Sequence, residues 1–286
     1  MWPDIGLCWG TVRQASLLEL IDVAGLHRFP TVSVPPQIVD RCLASGATVA
    51  SLRRRLADAK VRVTVIDALT RDLPGAPSPD EVPPIWRHNW TYGLDDLVRM
   101  AEALEAPTIN VTHFLGKLVE PQVMAEAIAA LAERAGRHGL TLSLEFMPGT
   151  SLATLASTAR IVQLSGAPNV GLMVDIWHLL RAGGDANDIR ALPPGSVTGV
   201  QLNDRRADAT EPARGEISSR SLPGEGDAPL AELMQAILGN TPGVSIEVEV
   251  FSPELAALSP AAAGERVARA LARWQRSLDD AVRADR

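Results

Sequence analysis

A single (β/α)8 TIM barrel is the fold that this 286-residue sequence predicts. Short β-rich runs alternate with Ala- and Leu-rich helical runs eight times, and no shift in composition divides the chain. The later strands end on inward-pointing polar or acidic residues, the pattern of a barrel with chemistry at its C-terminal face. No Gly-rich phosphate fingerprint follows the first strand, which disfavours an open doubly wound sheet.

The elements follow in order. Residues 5–9 read as the first strand and 16–24 as the first helix. A second strand covers 31–34, a helix 47–59, and a strongly β-branched third strand 61–66. Residues 67–90 then carry Pro74, Pro77, Pro79, Pro83 and Pro84. An irregular insert of this length in a compact domain points to disorder or to a functional lid. Alternation resumes with a helix from Leu94, a strand over 108–111, a helix over 121–138 and a strand over 141–145. A helix over 152–164, a strand over 171–175, a short helical piece near 185–190 and a strand over 197–202 come next. A helix over 229–238, a strand over 244–250 and a C-terminal helix over 260–283 complete the expected domain, 1–286.

Side chains along a barrel strand alternate between the interior and the surrounding helices. With Leu142 and Leu144 facing the helices, Ser143 and Glu145 face inward. With Leu172 and Val174 outside, Met173 and Asp175 lie inside. The same parity turns Gln201 inward, and likewise both Glu247 and Glu249. Parity cannot separate the last two, but Glu249 lies nearer the strand's C-terminal end, where barrel active sites sit. Burying several carboxylates together is costly without a compensating cation or proton. A hard divalent ion held by oxygen ligands is the simplest compensation. The bland alternative pairs each acid with an arginine or uses it to cap the following helix.

Five segments carry a family resemblance: residues 144–148 (LEFMP), 174–178 (VDIWH), 200–204 (VQLND), 222–226 (LPGEG) and 249–251 (EVF). Their order and spacing resemble the sugar phosphate isomerase/epimerase family, whose members have a xylose isomerase-like barrel. The likeness is specific from Thr141 onward and architectural before that. It implies that Glu145 is a metal ligand and one of two acid/base carboxylates, and that Asp175 is a second ligand. Gln201 stands where the family's third ligand, usually histidine, would be. Glu249 resembles the fourth ligand and the second acid/base group. His178 and Arg220 resemble residues that contact substrate oxygens. An amide oxygen is a harder donor than imidazole, so Gln201 shifts the expected cofactor towards Mg2+ or Mn2+ and away from zinc.

Such a site implies one type of chemistry. A bound metal polarises a carbonyl and its neighbouring hydroxyl. Two carboxylates on opposite sides of the substrate can then remove and return the proton on the adjacent carbon through an enediolate. Return to the other carbon isomerises the substrate, and return to the other face epimerises it. Departure of a β-hydroxyl makes the same site a dehydratase or lyase on a keto-polyol or oxidised glycoside. A third possibility is a non-catalytic binding protein in which Gln201 marks a degraded metal site.

Three further residues are weaker candidates for lining the substrate site. Trp9 ends the first strand, where a core role is an equal alternative, and His113 follows the fourth. Glu247 would sit one layer below Glu249. Residues 86–90 (WRHNW) close the Pro-rich insert with an unusual density of binding-capable side chains, and the two tryptophans hint at a substrate less polar than a simple sugar phosphate.

The composition, 46% hydrophobic and 21% charged, is that of a globular protein with a large core. A formal charge of −7 does not attract a polyanion, so a small-molecule substrate is expected and nucleic acid is not. A phosphodiesterase of the DNA-repair type on this barrel would need a basic groove and more histidines than the five present. Cys8 and Cys42 form no CxxC pair, and no apolar run approaches the roughly 18 residues of a membrane span. The expectation is a cytoplasmic protein, not bound to membrane, with a homo-oligomer left open.

Overall fold

Eight parallel strands pair in chain order and close on themselves, β8 pairing back to β1. They are β1 (Gly6–Cys8), β2 (Thr31–Val34), β3 (Arg62–Leu69), β4 (Thr108–Thr112), β5 (Thr141–Glu145), β6 (Val170–Asp175), β7 (Val197–Leu202) and β8 (Ile246–Val248). The computed structural model describes residues 3–208 and 220–284. Around the barrel run α1 (Leu17–His27), α2 (Pro36–Ala44), α3 (Val49–Ala59), α4 (Leu94–Leu104), α5 (Pro121–Gly136) and α6 (Leu155–Ser165). The ring continues with α7 (Ile176–Arg181), α8 (Ala186–Arg190), α9 (Leu230–Asn240), α10 (Pro253–Ala256) and α11 (Pro260–Ala284).

Local chemistry sets the helix starts. Ser16 and Glu19 cap α1 reciprocally, satisfying two backbone donors that the first turn leaves without partners. Thr48 does the same for α3 with Ser51, and Thr154 for α6 with Ser157. The outward strand residues Leu142, Leu144, Leu172, Val174, Val200 and Leu202 are buried against these helices. The last helix closes the outer ring by packing on the first. A Cβ added at Gly264 of α11 would lie 2.2 Å from Val23 Cγ1 of α1, so only glycine permits this approach. Among the described residues, no helix is long and apolar enough to cross a membrane.

The structure revises several predicted boundaries. Residues 36–44 are helical as α2, an element not expected between the second strand and the following helix: Pro36 occupies the first helical turn, where no backbone N–H is needed. β8 is three residues long, and Glu249 lies just beyond it, its N–H donating to Leu202 O at 2.9 Å. The Pro-rich insert is shorter than predicted, because β3 continues through Asp67 to Leu69. Beyond it, Pro79–Glu81 and Pro84–Trp90 form short 3-10 helices. The segment is tied down rather than structureless. Thr70 Oγ1 donates to Asn89 O at 3.0 Å, and Lys117 N donates to Gly75 O at 2.8 Å.

Candidate active site

A cavity of about 380 Å³ opens at the C-terminal ends of the strands. Its lining includes Cys8, Asp67, Glu145, His178, Arg220 and Glu249. Asp175 and Gln201 are buried alongside and bonded to these groups. Trp9 also borders the cavity, with its indole N–H donating to Ala15 O at 2.8 Å.

Asp175 serves two elements at once. It ends β6 and caps α7, its Oδ1 accepting from Trp177 N at 2.8 Å and His178 N at 3.3 Å. The tight strand-to-helix turn brings the His178 imidazole back over the strand ends. His178 Nε2 lies 3.6 Å from Glu145 Oε1 and 3.9 Å from Asp175 Oδ2. Glu145, Asp175 and His178 each offer one donor atom within 4.8 Å of the others. Cys8, Asp67 and Glu249 form a second such group.

Arg220 provides the positive charge between two of the acids. Its Nη1 donates to Asp175 Oδ2 at 2.7 Å and to Glu249 Oε2 at 2.6 Å. A buried guanidinium in this position satisfies both carboxylates. The backbone that carries it is braced by Asp204, which extends the β7 end and bridges to Ser221. The Asp204 carboxylate accepts from the N–H groups of Arg205, Gly224, Gly226 and Ala228 at 2.8–3.1 Å. Glu225 in that turn pairs with Arg266 and Arg273 of α11 and not with Arg220.

Asp67, which the sequence reading passed over, is the centre of the constellation. Asn110 Nδ2 donates to Asp67 Oδ1 at 2.7 Å and to Glu145 Oε2 at 2.6 Å. Gln201 Nε2 donates to Asp67 Oδ2 at 3.3 Å and to Glu249 Oε1 at 3.1 Å. Each glutamate is thus held by an amide, and both amides are held by one aspartate. Gln201 consequently turns its nitrogen, not its oxygen, towards these acids, while its Oε1 is buried with no partner among the described residues. Cys8 adds a weak S–H donor to Glu249 Oε1 at 3.4 Å.

These surroundings separate the acids electrostatically. Burial, then repulsion from Glu249, Asp67 and Asp175, pushes Glu145 well above the usual carboxylate range. Burial also dominates at Glu249, which rises to about 8 despite Arg220. Asp67 is raised by burial against the two amide bonds. Burial acts on Asp175 in the same direction, but Arg220, His178 and Asn203 outweigh it and hold this carboxyl low. Among the described residues the four carboxyl groups outnumber the two arginines that line the cavity, Arg220 between the acids and Arg181 at its border, so the site favours taking up protons or a further cation.

Two predicted substrate contacts fall elsewhere. Glu247 is a layer deeper and does not line the cavity; its Oε1 accepts from Thr31 and Thr64 hydroxyls at 2.9 and 2.7 Å. His113 is 1% exposed and lies outside the cavity lining. Its Nε2 contacts Pro74 O at 2.9 Å, and its Nδ1 accepts from Ser151 N at 3.1 Å, so the ring ties loops together. Both corrections have one cause: strand position shows how far along the barrel a residue falls, but not which neighbours claim it.

A family profile described as xylose isomerase-like TIM barrel matches residues 30–278. The chain belongs to the xylose isomerase-like TIM barrel family. Within this family's fold, it superposes on an IolI protein with a bound zinc atom with a TM-score of 0.78 at 15% identity, covering 95% of this chain and 98% of that one. In sequence it is 29% identical over 136 residues to a 3-dehydroshikimate dehydratase of Pseudomonas aeruginosa, covering 47% of this chain and 22% of that protein. It is 22% identical over 170 residues to an inosose isomerase of Halalkalibacterium halodurans, covering 57% and 60% respectively. The chain therefore spans under two thirds of the length of either relative. These sequence relatives are enzymes, and they differ in reaction: one removes water, the other isomerises.

Proposed function

We propose that this chain is a divalent-metal-dependent isomerase or epimerase of a sugar, keto-polyol or related hydroxy-ketone, which moves a proton on the carbon beside a carbonyl. The observation that carries this reading is the pairing of Glu145 and Glu249 at one cavity, linked through Asp67 by two amides. Both carboxyls are raised in pKa, Glu249 to about 8. A carboxyl titrating near neutrality can take a proton in one step and return it in the next.

The donor set fits a divalent ion. Glu145, Asp175 and His178 converge within 4.8 Å, the Gln201 oxygen is buried without a partner among the described residues, and the acids exceed the fixed positive charge. Glu145 and Asp175 would hold the ion with His178 beside them; Glu249, and Gln201 once its amide turns its oxygen to the acids, would complete the expected ring. Such an ion supplies Lewis-acid polarisation of the substrate carbonyl. A mainly oxygen donor set favours Mg2+ or Mn2+. Arg220 orients substrate oxygens and keeps Asp175 ionised, while Asn110 and Gln201 fix the orientation of the two glutamates.

Dehydration of a β-hydroxy-ketone is the second reading. The likeness to 3-dehydroshikimate dehydratase favours it. So does the position of Glu249 at the cavity, where a carboxyl raised to about 8 by burial suits a group that gives a proton to a departing hydroxyl. The test loads the protein with Mn2+ and incubates it in deuterated water with inosose or with 3-dehydroshikimate. Deuterium entering the carbon beside the inosose carbonyl without loss of water is expected. Water loss from 3-dehydroshikimate selects the second reading. Neither reaction, together with Mn2+ content unchanged in Glu145→Gln and Asp175→Asn, refutes both.

A further inference from the structure

The cavity is chemically two-sided. Its carboxylates gather at the strand ends, and much of the rest of its lining is aromatic. Trp9, Trp86, Phe114, Trp177 and Phe251 all border it, five of the eleven aromatic side chains in the whole sequence. Aromatic residues make up only 4% of the chain, so this concentration calls for a cause beyond general core packing.

Not all five rings are equally placed to meet a ligand. The Arg220 guanidinium lies 5.0 Å over the Phe251 ring, and Arg205 lies 5.7 Å over Trp177. Trp86 and Phe114 form a pair. They meet edge to face, 5.3 Å between centroids and 79° between planes, and both are half-buried at the cavity. Behind them the buried Trp90 packs on Phe114 at 6.1 Å. The Thr70–Asn89 hydrogen bond fastens the 84–90 helix to the chain leaving β3. The pair is therefore a supported wall and not two loose surface rings. Met147 and Pro148 extend the apolar lining. At about 380 Å³ the cavity lies within the roughly 300–1,000 Å³ range of sites that enclose drug-sized ligands.

We propose that the substrate has two parts: a hydroxylated carbon frame that meets the carboxylates, and an aromatic ring attached to it that packs on Trp86 and Phe114. The first half of this statement rests on the proton-transfer reading above; the second rests on the wall itself. Offset or edge-to-face packing against a third ring suits an existing T-shaped pair, because each ring presents both an edge and a face. A bare polyol could also lay its C–H face on one ring, so the decisive comparison changes the appended group alone.

Isothermal titration calorimetry with phenyl β-D-glucoside and methyl β-D-glucoside makes that comparison in the full-length protein with Mn2+ present. The phenyl compound is expected to bind about tenfold more tightly than the methyl compound. Trp86→Ala and Phe114→Ala should each cut that ratio to about threefold or less by weakening the phenyl compound more than the methyl compound, and Trp86→Phe should keep most of it. Circular dichroism melts identify any variant that fails to fold. Glu145→Gln should weaken both ligands and preserve their ratio. Equal affinities, no binding of the phenyl compound, or a ratio that survives both alanine variants overturns the proposal. A phenyl preference that persists in a protein retaining no metal and exchanging no protons leaves the wall assignment standing and sinks the catalytic reading alone.

Discussion

Glu247→Gln offers a quantitative test of the barrel interior. Glu247 is 1% exposed and accepts two threonine hydroxyls on Oε1, and burial raises its pKa from 4.5 to about 7. Folding therefore makes this carboxyl hold its proton more tightly. The resulting stabilisation is present in full below pH 4.5 and is lost as pH rises through 7. At 1.36 kcal/mol for each tenfold gain in proton affinity, the rise from 4.5 to about 7 amounts to about 3 kcal/mol across that window. Glutamine copies the neutral acid: its Oε1 can still accept from Thr31 and Thr64, but nothing titrates. Urea unfolding from pH 4 to pH 9 should therefore show the variant gaining about 3 kcal/mol relative to the parent protein as pH rises, with little difference at pH 4. Glu249 titrates in both proteins, so the difference isolates Glu247. Parallel pH profiles would refute the claim that Glu247 is neutral and buried without a cation.

Three other outcomes follow from the packing. Asn110→Ala removes the amide shared by Asp67 and Glu145, both bonds being to acids, and should cost about 3 kcal/mol in urea unfolding. Gly116→Ala would place a Cβ 2.1 Å from His113 Nε2, displacing the ring from Pro74, and should lower the melting temperature by roughly 5 °C. Glu225→Gln breaks ion pairs whose arginines are 42% and 53% exposed. Solvent screening limits that loss to about 1 kcal/mol or less, measurable by a double-mutant cycle with Arg266→Ala.

Regular strands made much of the barrel legible. Over β5, β6 and the end of β7, and on to Glu249, alternation brought Glu145, Asp175, Gln201 and Glu249 to one end; the slip in the β6–β7 pairing falls between Val197 and Gly199, ahead of the residues that carry the pattern. Alternation failed at β3. Thr64 bonds Glu247 inside the barrel and Asp67 lines the cavity, although residues three apart should face opposite sides of a regular strand. The β2–β3 register slips between Val32 and Ser33, and the β3–β4 register slips between Ile66 and Leu69. Such irregularities re-aim a side chain, and no period-2 reading detects them. A carboxyl ending a β-branched run just before a Pro-rich segment was the available signal.

The order of the strands, the capping residues and the burial of polar or acidic groups at four successive strand ends are properties of neighbouring residues along the chain, and the sequence determined them by itself. Which charge answers which acid was decided in three dimensions. Arg220 reaches Asp175 and Glu249 across 45 and 29 residues, and Asn110 joins Asp67 to Glu145 from between them on the adjacent β4. Gln201 carries the same amide in either reading. Only the carboxylates on neighbouring strands turn its nitrogen inward, because an amide rotates to whichever partners closure of the barrel brings within hydrogen-bond distance.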